Sequence, residues 1–398
     1  MFMNDVQSSL FPTYARYPIA FVKGEGSRLW DDKGKEYIDL MSGISVTNLG
    51  HAPKQVKEKL IAQLDQLWHT SNLFHIPNQE KLAKLLTDNS CADAVFFCST
   101  GAEANEAAIK LARRYSQKVK KTERYEIITF QMSFHGRTLA TLTATGQDKV
   151  KEGFHPLPDG FVYADFNDIE SVKSLLSDKT CAIMLELVQG ESGVHPVEPA
   201  FIKQVAELCK QQDLLLILDE IQTGMGRTGK LFAYEHYGIE PDIFTLAKGL
   251  GSGFPIGAML GKAKLREAFN AGSHGSTFGG TPIATAAGIA TLETILGENL
   301  VERAAELGQF ALESLQSQLA GNPLVQEVRG QGMLIGIACT QPVSEVISEI
   351  HEQGVMVITA GPNVIRLAPS LAIPKEDLEK GLALICSVLA NKALTKVQ

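Results

Sequence analysis

The central part of the chain carries short, continuous apolar runs separated by amphipathic segments. Continuous apolar runs indicate strands that are buried on both faces, which is typical of a largely parallel sheet covered by helices. The amphipathic segment EANEAAIKLARRY, which follows the first run, predicts a connecting helix. The predicted strands are AVFFC (94–98), EIITF (126–130), CAIMLELV (181–188), LLLIL (214–218), DIFTLA (242–247) and PIGAML (255–260).

Both ends of the chain have a different pattern. Residues 27–40 (SRLWDDKGKEYIDL) predict a hairpin whose turn is Asp32-Lys33-Gly34. From about residue 284, long helical segments precede three apolar runs, GMLIGIAC (332–339), VMVI (355–358) and VIRLA (364–368). We therefore predict an α/β fold with a large domain, a mostly parallel sheet covered by helices, over residues 56–283. A smaller α+β domain is assembled from residues 1–55 and 284–398.

Composition and charge narrow the class of partner. Apolar residues make up 44% and charged residues 21% of the chain, an ordinary composition for a soluble protein. The 37 basic and 45 acidic residues leave a net charge of −8, which argues against a nucleic acid or an anionic membrane as partner. The apolar runs are shorter than the ~18–20 residues of a membrane helix, and the first residues do not follow a signal-peptide pattern.

The six cysteines and nine histidines are spaced without a disulfide or metal-binding pattern. The sequence contains no C-x-x-C pair, and Cys98, Cys181 and Cys386 lie within apolar runs, which indicates buried thiols. The histidines do not have the H-E-x-x-H spacing of a zinc site. We therefore expect a cytoplasmic location and no bound metal.

The stretch DLLLILDEIQTGMGRTGK (213–230) matches two phosphate-binding patterns. Its end fits the G-x-x-x-x-G-K pattern of nucleotide triphosphate loops, but Leu231 stands where such a loop needs serine or threonine. Its glycines also fit G-x-G-x-x-G, but the residues DEIQT separate the end of the strand from the first glycine. Both nucleotide-binding interpretations are therefore disfavoured. The polar residues 219–222 at the strand end become the candidates for chemistry.

Three features point to one kind of chemistry. Lys248 ends the predicted strand DIFTLA and precedes a glycine-rich turn, although a solvent-exposed lysine is the alternative. Asp219 ends the neighbouring apolar strand, although an acid at that place also caps helices. Gly101 and Ala102 begin a predicted helix, where backbone N–H groups and the helix dipole suit an anion. The alternative there is that Thr100 serves only as the helix N-cap.

Together these features meet the needs of pyridoxal phosphate (PLP). The aldehyde of PLP needs a lysine amine for a Schiff base, and its pyridine nitrogen needs a carboxylate to stay protonated. Its phosphate group needs N–H donors of the kind found at a helix start. Each feature is weak alone, but the ordered set predicts a PLP site.

The sequence resembles the class III aminotransferases, PLP-dependent transferases of fold type I, along nearly its whole length. The stretches that carry the resemblance are SGISVTNLGH, FFCSTGAEANEAAIKLAR, SFHGRT, VQGESGV, LDEIQTGMGRTG, LAKGLGSGFPIGA, HGSTFGG and AGPNVIRLAPS. The resemblance implies a cytoplasmic homodimer that transfers the δ-amino group of N2-acetylornithine to 2-oxoglutarate in arginine biosynthesis. The alternatives are another amino donor (ornithine, succinylornithine, succinyl-diaminopimelate or 4-aminobutyrate), a semialdehyde aminomutase, or a non-catalytic protein on this fold.

For the cofactor, the resemblance implies Lys248 as the Schiff-base lysine and Asp219 as the partner of the pyridine nitrogen. The residues implied around the ring are Phe134 and Ile221 on its two faces and Gln222 at its hydroxyl group. Glu220 belongs to the same cofactor-binding stretch. The phosphate would be held by three residues of the helix start and one residue of the other subunit of a dimer: Thr100, Gly101, Ala102 and Thr277.

For the substrates, the resemblance implies that Arg137, helped by Ser276, binds the α-carboxylate of the amino donor. Arg366 would bind the carboxylate of the keto acid and pair with Glu191 when it is not in use. Ile44 stands where ornithine aminotransferases typically carry a tyrosine. An apolar residue there offers no hydrogen bond to a free α-ammonium group, which favours an N-acetylated donor. The alternative is that Ile44 only packs against a neighbouring helix.

The sequence departs from the family pattern at two places. Ser99-Thr100-Gly101 stands where Asn-Ser-Gly is usual, and the hydroxyl group is retained. Thr281 stands where an asparagine usually follows HGSTFGG, and nothing in the sequence explains that change.

Overall fold

The structure, a computed structural model, describes residues 9–395. The strands in this range are β1 (Phe21–Glu25), β2 (Arg28–Asp31), β3 (Glu36–Asp39), β4 (Ala94–Cys98), β5 (Glu126–Phe130), β6 (Phe161–Ala164), β7 (Thr180–Glu186), β8 (Val188–Gln189), β9 (His195–Pro196), β10 (Leu215–Asp219), β11 (Ile243–Leu246), β12 (Gly257–Gly261), β13 (Val325–Gln331), β14 (Leu334–Cys339), β15 (Val355–Met356), β16 (Ile358–Thr359) and β17 (Val364–Leu367).

The helices alternate with these strands over the central part of the chain and are longest toward its end. They are α1 (Ser42–Ser45), α2 (Lys54–Leu64), α3 (Pro77–Asp88), α4 (Gly101–Arg114), α5 (Leu139–Ala144), α6 (Ile169–Ser174), α7 (Pro199–Gln211), α8 (Pro282–Gly297), α9 (Leu300–Gln318), α10 (Ser344–Glu352) and α11 (Lys375–Thr395).

A seven-stranded sheet forms the centre of the molecule, in the order β4-β12-β11-β10-β7-β5-β6. All its neighbouring strands pair in parallel except β12, which is antiparallel to both β11 and β4. Every residue of β7 and β10 is buried, because helices cover both faces of the sheet. The predicted α/β fold with a mostly parallel sheet is confirmed. The pattern missed β6, where only Ala164 is buried.

Helix α4 shows how the sequence sets one of these packed layers. Its N-terminus is closed by a capping box, in which the Thr100 hydroxyl accepts from the Glu103 N–H and the Glu103 carboxylate accepts from the Thr100 N–H. The buried face consists mainly of alanine, together with Asn105, Ile109 and Leu111. Small side chains let this helix lie close to the sheet, so the start of α4 is held directly beside the end of β4.

The two ends of the chain form smaller sheets. Strands β1, β2 and β3 are antiparallel neighbours, and β15 from the C-terminal part pairs in parallel with β3. The predicted hairpin is the β2–β3 pair, whose turn contains Gly34 with φ of +82°. A second sheet has the order β13-β14-β17-β16 and is antiparallel. The boundaries at residues 55 and 283 stay a prediction.

Two further features concern residues 9–395 as a whole. None of the helices in this range combines the length and the apolar character that crossing a membrane requires. Within the same range, His, Cys, Asp and Glu side chains do not form a group of three or more that could hold a metal ion. The six cysteines are free, and all except Cys91 are buried.

Candidate active site

A cavity of about 430 Å³ lies at the carboxyl ends of the parallel strands of the central sheet. Glu186 ends β7 and Asp219 ends β10, and both line the cavity. Most of the other lining residues come from the segments that follow β4, β5, β10 and β11. This is where open α/β sheets bind ligands, because loops from several strands converge there.

Asp219 is buried and held by three hydrogen bonds. Its Oδ2 accepts from His135 Nδ1 at 2.8 Å and from Asn105 Nδ2 at 2.8 Å, and its Oδ1 accepts from the Ile221 N–H at 3.1 Å. Asn105 is fixed in turn, because its Oδ1 accepts from the Thr245 hydroxyl. The carboxylate therefore has one fixed orientation at the cavity wall.

Lys248 follows β11 and also lines the cavity. Its φ is +40°, in the left-handed region that few non-glycine residues adopt and that often marks a functional site. Burial lowers the pKa of Lys248, and the charge of Arg366 lowers it further, against the opposing effect of the Glu191, Asp219 and Glu186 carboxylates. An amine with a lowered pKa is unprotonated, and so nucleophilic, over a wider pH range.

The start of α4 offers a place for an anion. Glu103 Oε2 already accepts from the backbone N–H groups of Ser99 and Thr100, at 2.8 and 2.9 Å. Thr100 is thus the helix N-cap, as the alternative interpretation proposed. Within the described part of the chain, the N–H groups of Gly101 and Ala102 have no acceptor, and both residues line the cavity. A Cβ at Gly101 would lie 2.8 Å from the Ile221 side chain, so glycine keeps this corner open.

Of residues 220–222, two line the cavity and one is directed into the protein interior. Ile221 and Gln222 line the cavity, as does Phe134 from the segment after β5. Glu220 does not line it. Its carboxylate accepts from the N–H groups of Ala233 and Tyr234 at 2.7 and 2.9 Å, and so closes the loop that follows β10. Burial raises the pKa of Glu220 to about 7, against the effect of these two donors.

Arg366 and Glu191 form an ion pair behind the cavity. Glu191 Oε1 lies 2.7 Å from Arg366 Nη1, and Gln222 Nε2 donates to the same oxygen at 3.2 Å. Arg366 is 1% exposed and is not part of the cavity wall, whereas Glu191 is part of it. Burial raises the pKa of Glu191, but the charge and hydrogen bonds of Arg366 outweigh this effect and hold it below its usual value. Glu191 is therefore ionised, and it lies between the arginine and the cavity.

Three predicted substrate or phosphate residues lie at or beyond the rim. Arg137 lines the cavity but is exposed, with its guanidinium 5.6 Å from the centre of the Phe134 ring. Ser276 and Thr277 do not line the cavity of this chain. Ser276 Oγ accepts from the Gly279 N–H, and Thr277 is exposed at the surface. Thr281 is the residue before α8, and the structure gives no reason for its identity.

Helix α1 is one turn in the left-handed conformation, with φ between 48° and 67° at Ser42–Ser45. Asp39 Oδ1 accepts from the N–H groups of Met41 and Ser42, both at 2.9 Å, and holds the turn. Ile44 is half-buried in this turn and does not line the cavity, whereas Val46 does. The structure thus brings Val46 rather than the predicted Ile44 to the cavity wall.

Two residue groups were missed by the sequence analysis. Glu186 lies opposite Asp219 in the parallel register of β7 and β10 and accepts from the Phe134 N–H at 3.0 Å. Burial raises the pKa of Glu186, and the neighbouring Asp219 carboxylate raises it further. An acid that ends an apolar strand was available as a signal in CAIMLELV. The contacts of His135 and Asn105 with Asp219 had no comparable signal, because they depend on how separate segments pack.

Comparison with known proteins gives a consistent result at the sequence level. The sequence model of the family "Aminotransferase class-III" matches residues 12–389. The chain is 52% identical over 374 residues to acetylornithine aminotransferase of Oceanobacillus iheyensis, an alignment that covers 94% of each chain. It is 49% identical over 385 residues to acetylornithine aminotransferase of Bacillus subtilis, covering 96% of this chain and 98% of the relative.

Solved structures have the same fold. An ornithine aminotransferase from Toxoplasma gondii superposes with a TM-score of 0.94 at 32% identity, covering 98% of this chain and 94% of that one. Acetylornithine aminotransferase from Elizabethkingia anophelis superposes with a TM-score of 0.86 at 32% identity and covers 96% of each chain.

Proposed function

The chain belongs to the class-III aminotransferase family, and from this we propose that it transfers the δ-amino group of N2-acetylornithine to 2-oxoglutarate. The products are N-acetylglutamate 5-semialdehyde and glutamate, and the step belongs to arginine biosynthesis. The donor is supported by the relatives named acetylornithine aminotransferase, at 46–52% identity. The enzyme is a PLP-dependent aminotransferase, and the Toxoplasma gondii relative contains PLP at partial occupancy in its active site.

The cavity fits PLP on three observations. The unpartnered N–H groups of Gly101 and Ala102 at the start of α4 suit the phosphate. The fixed carboxylate of Asp219 suits the pyridine nitrogen, and the Lys248 amine has a lowered pKa. When bound, PLP supplies an aldehyde for amino groups and a ring that withdraws electrons from the reacting carbon. Phe134, Ile221 and Gln222 would enclose the ring from the cavity walls.

Four residues of the chain have separate tasks in this proposal. Asp219 keeps a proton on the ring nitrogen, because an opposite charge at short range favours the protonated form. The Lys248 amine takes a proton from the amino-bearing carbon of the substrate and gives it back in a later step of the amino transfer. Arg137 at the rim binds the α-carboxylate of the donor, with a contribution from Ser276.

The Arg366–Glu191 ion pair is the observation that supports the binding of two different substrates in one cavity. The donor and the keto acid differ at the end that enters the cavity, since only 2-oxoglutarate brings a second carboxylate there. With Glu191 in place, Arg366 is neutralised and the wall suits the arm of acetylornithine, which carries no carboxylate. When Glu191 swings away, the guanidinium can bind the keto-acid carboxylate through two parallel hydrogen bonds.

A homodimer is part of the proposal. An apolar surface, here called the rim surface, surrounds the exposed Thr277 and contains Ile61, Leu64, Leu67, Trp68, Leu73, Phe74 and Phe278. The two segments that form it are in contact, because Asn72 Nδ2 donates to Ser276 O and the His69 and Phe278 rings lie 5.6 Å apart. Monomers seldom expose so many large apolar residues together. A second copy of the chain would cover this surface and bring Thr277 to the phosphate of its partner.

The location proposed for the enzyme is the cytoplasm, which suits the six free cysteines. We do not assign it a nucleic-acid or membrane partner, in keeping with the net charge of −8. Ornithine is the second candidate donor, because the Toxoplasma gondii ornithine aminotransferase has a TM-score of 0.94.

Amino-donor profiling tests the proposal. Purified protein with PLP and 2-oxoglutarate is offered acetylornithine, ornithine, succinylornithine, succinyl-diaminopimelate and 4-aminobutyrate in parallel, and glutamate is measured. We expect acetylornithine to give the highest kcat/KM and the Lys248→Ala variant to be inactive with every donor. A higher kcat/KM with ornithine would overturn the donor assignment, and turnover by Lys248→Ala would overturn the role of the lysine.

A further inference from the structure

The glycine-rich stretch TGMGRTG places a guanidinium deep inside the molecule. Arg227 is fully buried, and its Nη1 donates to the carbonyl of Met333 at 3.1 Å and to that of Pro369. Its Nη2 donates to Asn48 Oδ1 at 2.7 Å. Within residues 9–395, its Nε has no hydrogen-bond partner, and the nearest charge acting on it is that of the Asp39 carboxylate. Burial lowers the pKa of Arg227 to about 9, so the group is still charged at neutral pH.

Asn48 connects this arginine to the lysine of the cavity. Its Nδ2 donates to the Met225 carbonyl at 2.9 Å, and its own carbonyl accepts from the Leu371 N–H at 2.8 Å. The Asn48 amide packs against Gly249 so closely that a Cβ there would lie 2.3 Å from Nδ2. Gly249 directly follows Lys248, so the amide forms the back of the turn that presents the lysine.

The segments that meet at Arg227 each carry a group of the candidate active site. Asn48 is two residues from Val46, which lines the cavity. Pro369 is three residues from Arg366, the partner of Glu191. The loop of Arg227 itself begins at Asp219, the end of β10. One side chain thus joins the central sheet to segments from both ends of the chain.

The glycines of the stretch serve this arrangement. Gly226 and Gly229 have φ of +86° and +84°, which turns the loop so that Arg227 points inward. A Cβ at Gly229 would lie 2.9 Å from the Ala305 backbone, so the loop also packs tightly against α9. The pattern that suggested a phosphate loop is therefore the sequence signature of a buried arginine junction.

We propose that Arg227 is a positioning residue, which acts through Asn48 and the 369–371 segment to fix Lys248, Val46 and Arg366 in one mutual arrangement. It does not line the cavity. The inference rests on the proposed function only in taking this cavity as the site of amino transfer. Arginine suits the task because its planar fork reaches three acceptors on different segments at once. Lysine keeps the charge but presents it at a single point, so it would leave buried carbonyl or amide groups unsatisfied.

The test compares two Arg→Lys variants in the full-length, PLP-loaded protein. Arg303 is the matched control, because its Nη2 also donates to a carbonyl of the C-terminal part, that of Ile373 at 2.6 Å, whereas the contact with Asn48 belongs to Arg227. Three quantities are measured for wild type, Arg227→Lys and Arg303→Lys. They are the thermal midpoint, the pH midpoint of the visible absorption band of bound PLP, and the single-turnover rate with glutamate as amino donor.

For Arg227→Lys we expect the single-turnover rate to fall about 10- to 100-fold, because a small displacement of reacting groups is costly. The pH midpoint of the absorption band should move to higher pH. A looser turn admits water, and water stabilises the protonated, charged form of the Lys248 nitrogen that holds PLP. Arg303→Lys should lower the thermal midpoint without either effect. If Arg227→Lys also changes only the thermal midpoint, Arg227 has a purely structural role and the proposal is overturned.

A second variant guards against a folding failure. Asn48→Ala removes the contact between Arg227 and the Lys248 turn but leaves both carbonyl contacts of the arginine. It should shift the pH midpoint in the same direction, and an unshifted midpoint in a folded, PLP-loaded Asn48→Ala protein would also overturn the proposal. The half-reaction with glutamate does not involve acetylornithine. A wrong donor assignment would therefore leave this comparison intact.

Discussion

The carboxylate of Glu191 lies between the cavity and the guanidinium of Arg366, with Oε1 2.7 Å from Nη1. The arginine is fully enclosed, and its Nη1 also donates to the Gly190 carbonyl at 2.9 Å, so the backbone holds it in place. The glutamate is the more exposed member, at 28% of its side chain against 2%. If the ion pair opens, Glu191 is therefore the residue that moves, while Arg366 stays fixed.

Glu191→Gln should impair the half-reaction with acetylornithine more than the half-reaction with 2-oxoglutarate. A glutamine leaves the charge of Arg366 uncompensated, so the guanidinium competes with Arg137 for the donor's carboxylate. We expect the donor rate to fall by about an order of magnitude more than the keto-acid rate. Single-turnover spectroscopy of each half-reaction measures this difference. Glu170→Gln, which breaks an exposed pair with Lys173, is the control, and equal losses in both halves would contradict the switch.

Asp219→Asn should leave the protein folded and slow proton transfer at the substrate carbon by about two to three orders of magnitude. The asparagine oxygen can still accept from His135 and Asn105, whereas the negative charge that keeps the ring nitrogen protonated is lost. Circular dichroism checks the fold, and a deuterium isotope effect on the donor carbon reports the proton transfer. Turnover close to that of the wild type would remove Asp219 from this role.

The resemblance to class III aminotransferases is confirmed by the family match, and much of the site could be read from the sequence. Strand-end positions such as Asp219 and Lys248 are visible because continuous apolar runs end there. The placement of Glu220 was not visible, because side chains that follow a strand can turn toward the ligand or toward the interior. Its two N–H donors lie about a dozen residues away, in a loop whose folding the pattern does not reveal.

Val46 and Arg227 show the same limit for packing. The hydropathy pattern gives no reason to favour Val46 over Ile44, because the choice depends on a left-handed turn at Ser42–Ser45. Arg227 reads as a polar residue in a glycine-rich loop, although it is fully buried. The carbonyl and amide groups that make its burial acceptable come from segments more than a hundred residues distant in the chain.

Glu220 should make the stability of the protein fall as pH rises from about 5 to about 8. Its pKa is raised to about 7 in the folded state, so the native protein binds more protons than the unfolded chain in this range. The stabilising contribution of its protonated form is complete below the usual carboxylate pKa and is lost as pH passes about 7. Chemical unfolding at several pH values measures the slope. Glu220→Gln should flatten it, while Glu235→Gln tests for a contribution from the neighbouring carboxylate, whose pKa is also raised. An unchanged slope in Glu220→Gln would contradict the assignment.

Leu67→Glu, a change at an exposed residue of the rim surface, should convert the enzyme to an inactive monomer. A charge on this apolar surface opposes coverage by a second copy, and the cavity then lacks the Thr277 hydroxyl of the partner subunit. Sedimentation velocity and turnover are measured on the same samples. Phe154→Glu is the matched control, because Phe154 is at least as exposed as Leu67 but is not one of the rim-surface residues. A Leu67→Glu monomer with full activity would show that the cavity of a single chain is sufficient.

The preference for acetylornithine over ornithine should depend on the left-handed turn that carries Ile44. An ornithine α-ammonium group beside the apolar side chains of Ile44 and Val46 would lose water without gaining a partner, at a cost of about 1–3 kcal/mol. Because about 1.4 kcal/mol corresponds to tenfold, wild-type kcat/KM should favour acetylornithine by at least about an order of magnitude. Ile44 itself does not line the cavity, but a tyrosine at this position is long enough to extend from the turn toward the wall that Val46 forms. Ile44→Tyr should therefore narrow the gap between the two donors.

Ile44→Leu is the matched control for that substitution. Ile44 has φ of +67°, which is unfavourable for a β-branched residue, so both leucine and tyrosine relieve strain in the turn. Only tyrosine adds a hydroxyl group. A gap that narrows in Ile44→Tyr and persists in Ile44→Leu assigns the preference to the missing hydrogen bond, because the relief of strain is common to both. If the gap narrows equally in both variants, the turn acts through its conformation. If the wild-type enzyme uses both amines equally well, the acetylornithine assignment falls and the broader class of ω-aminotransferase remains.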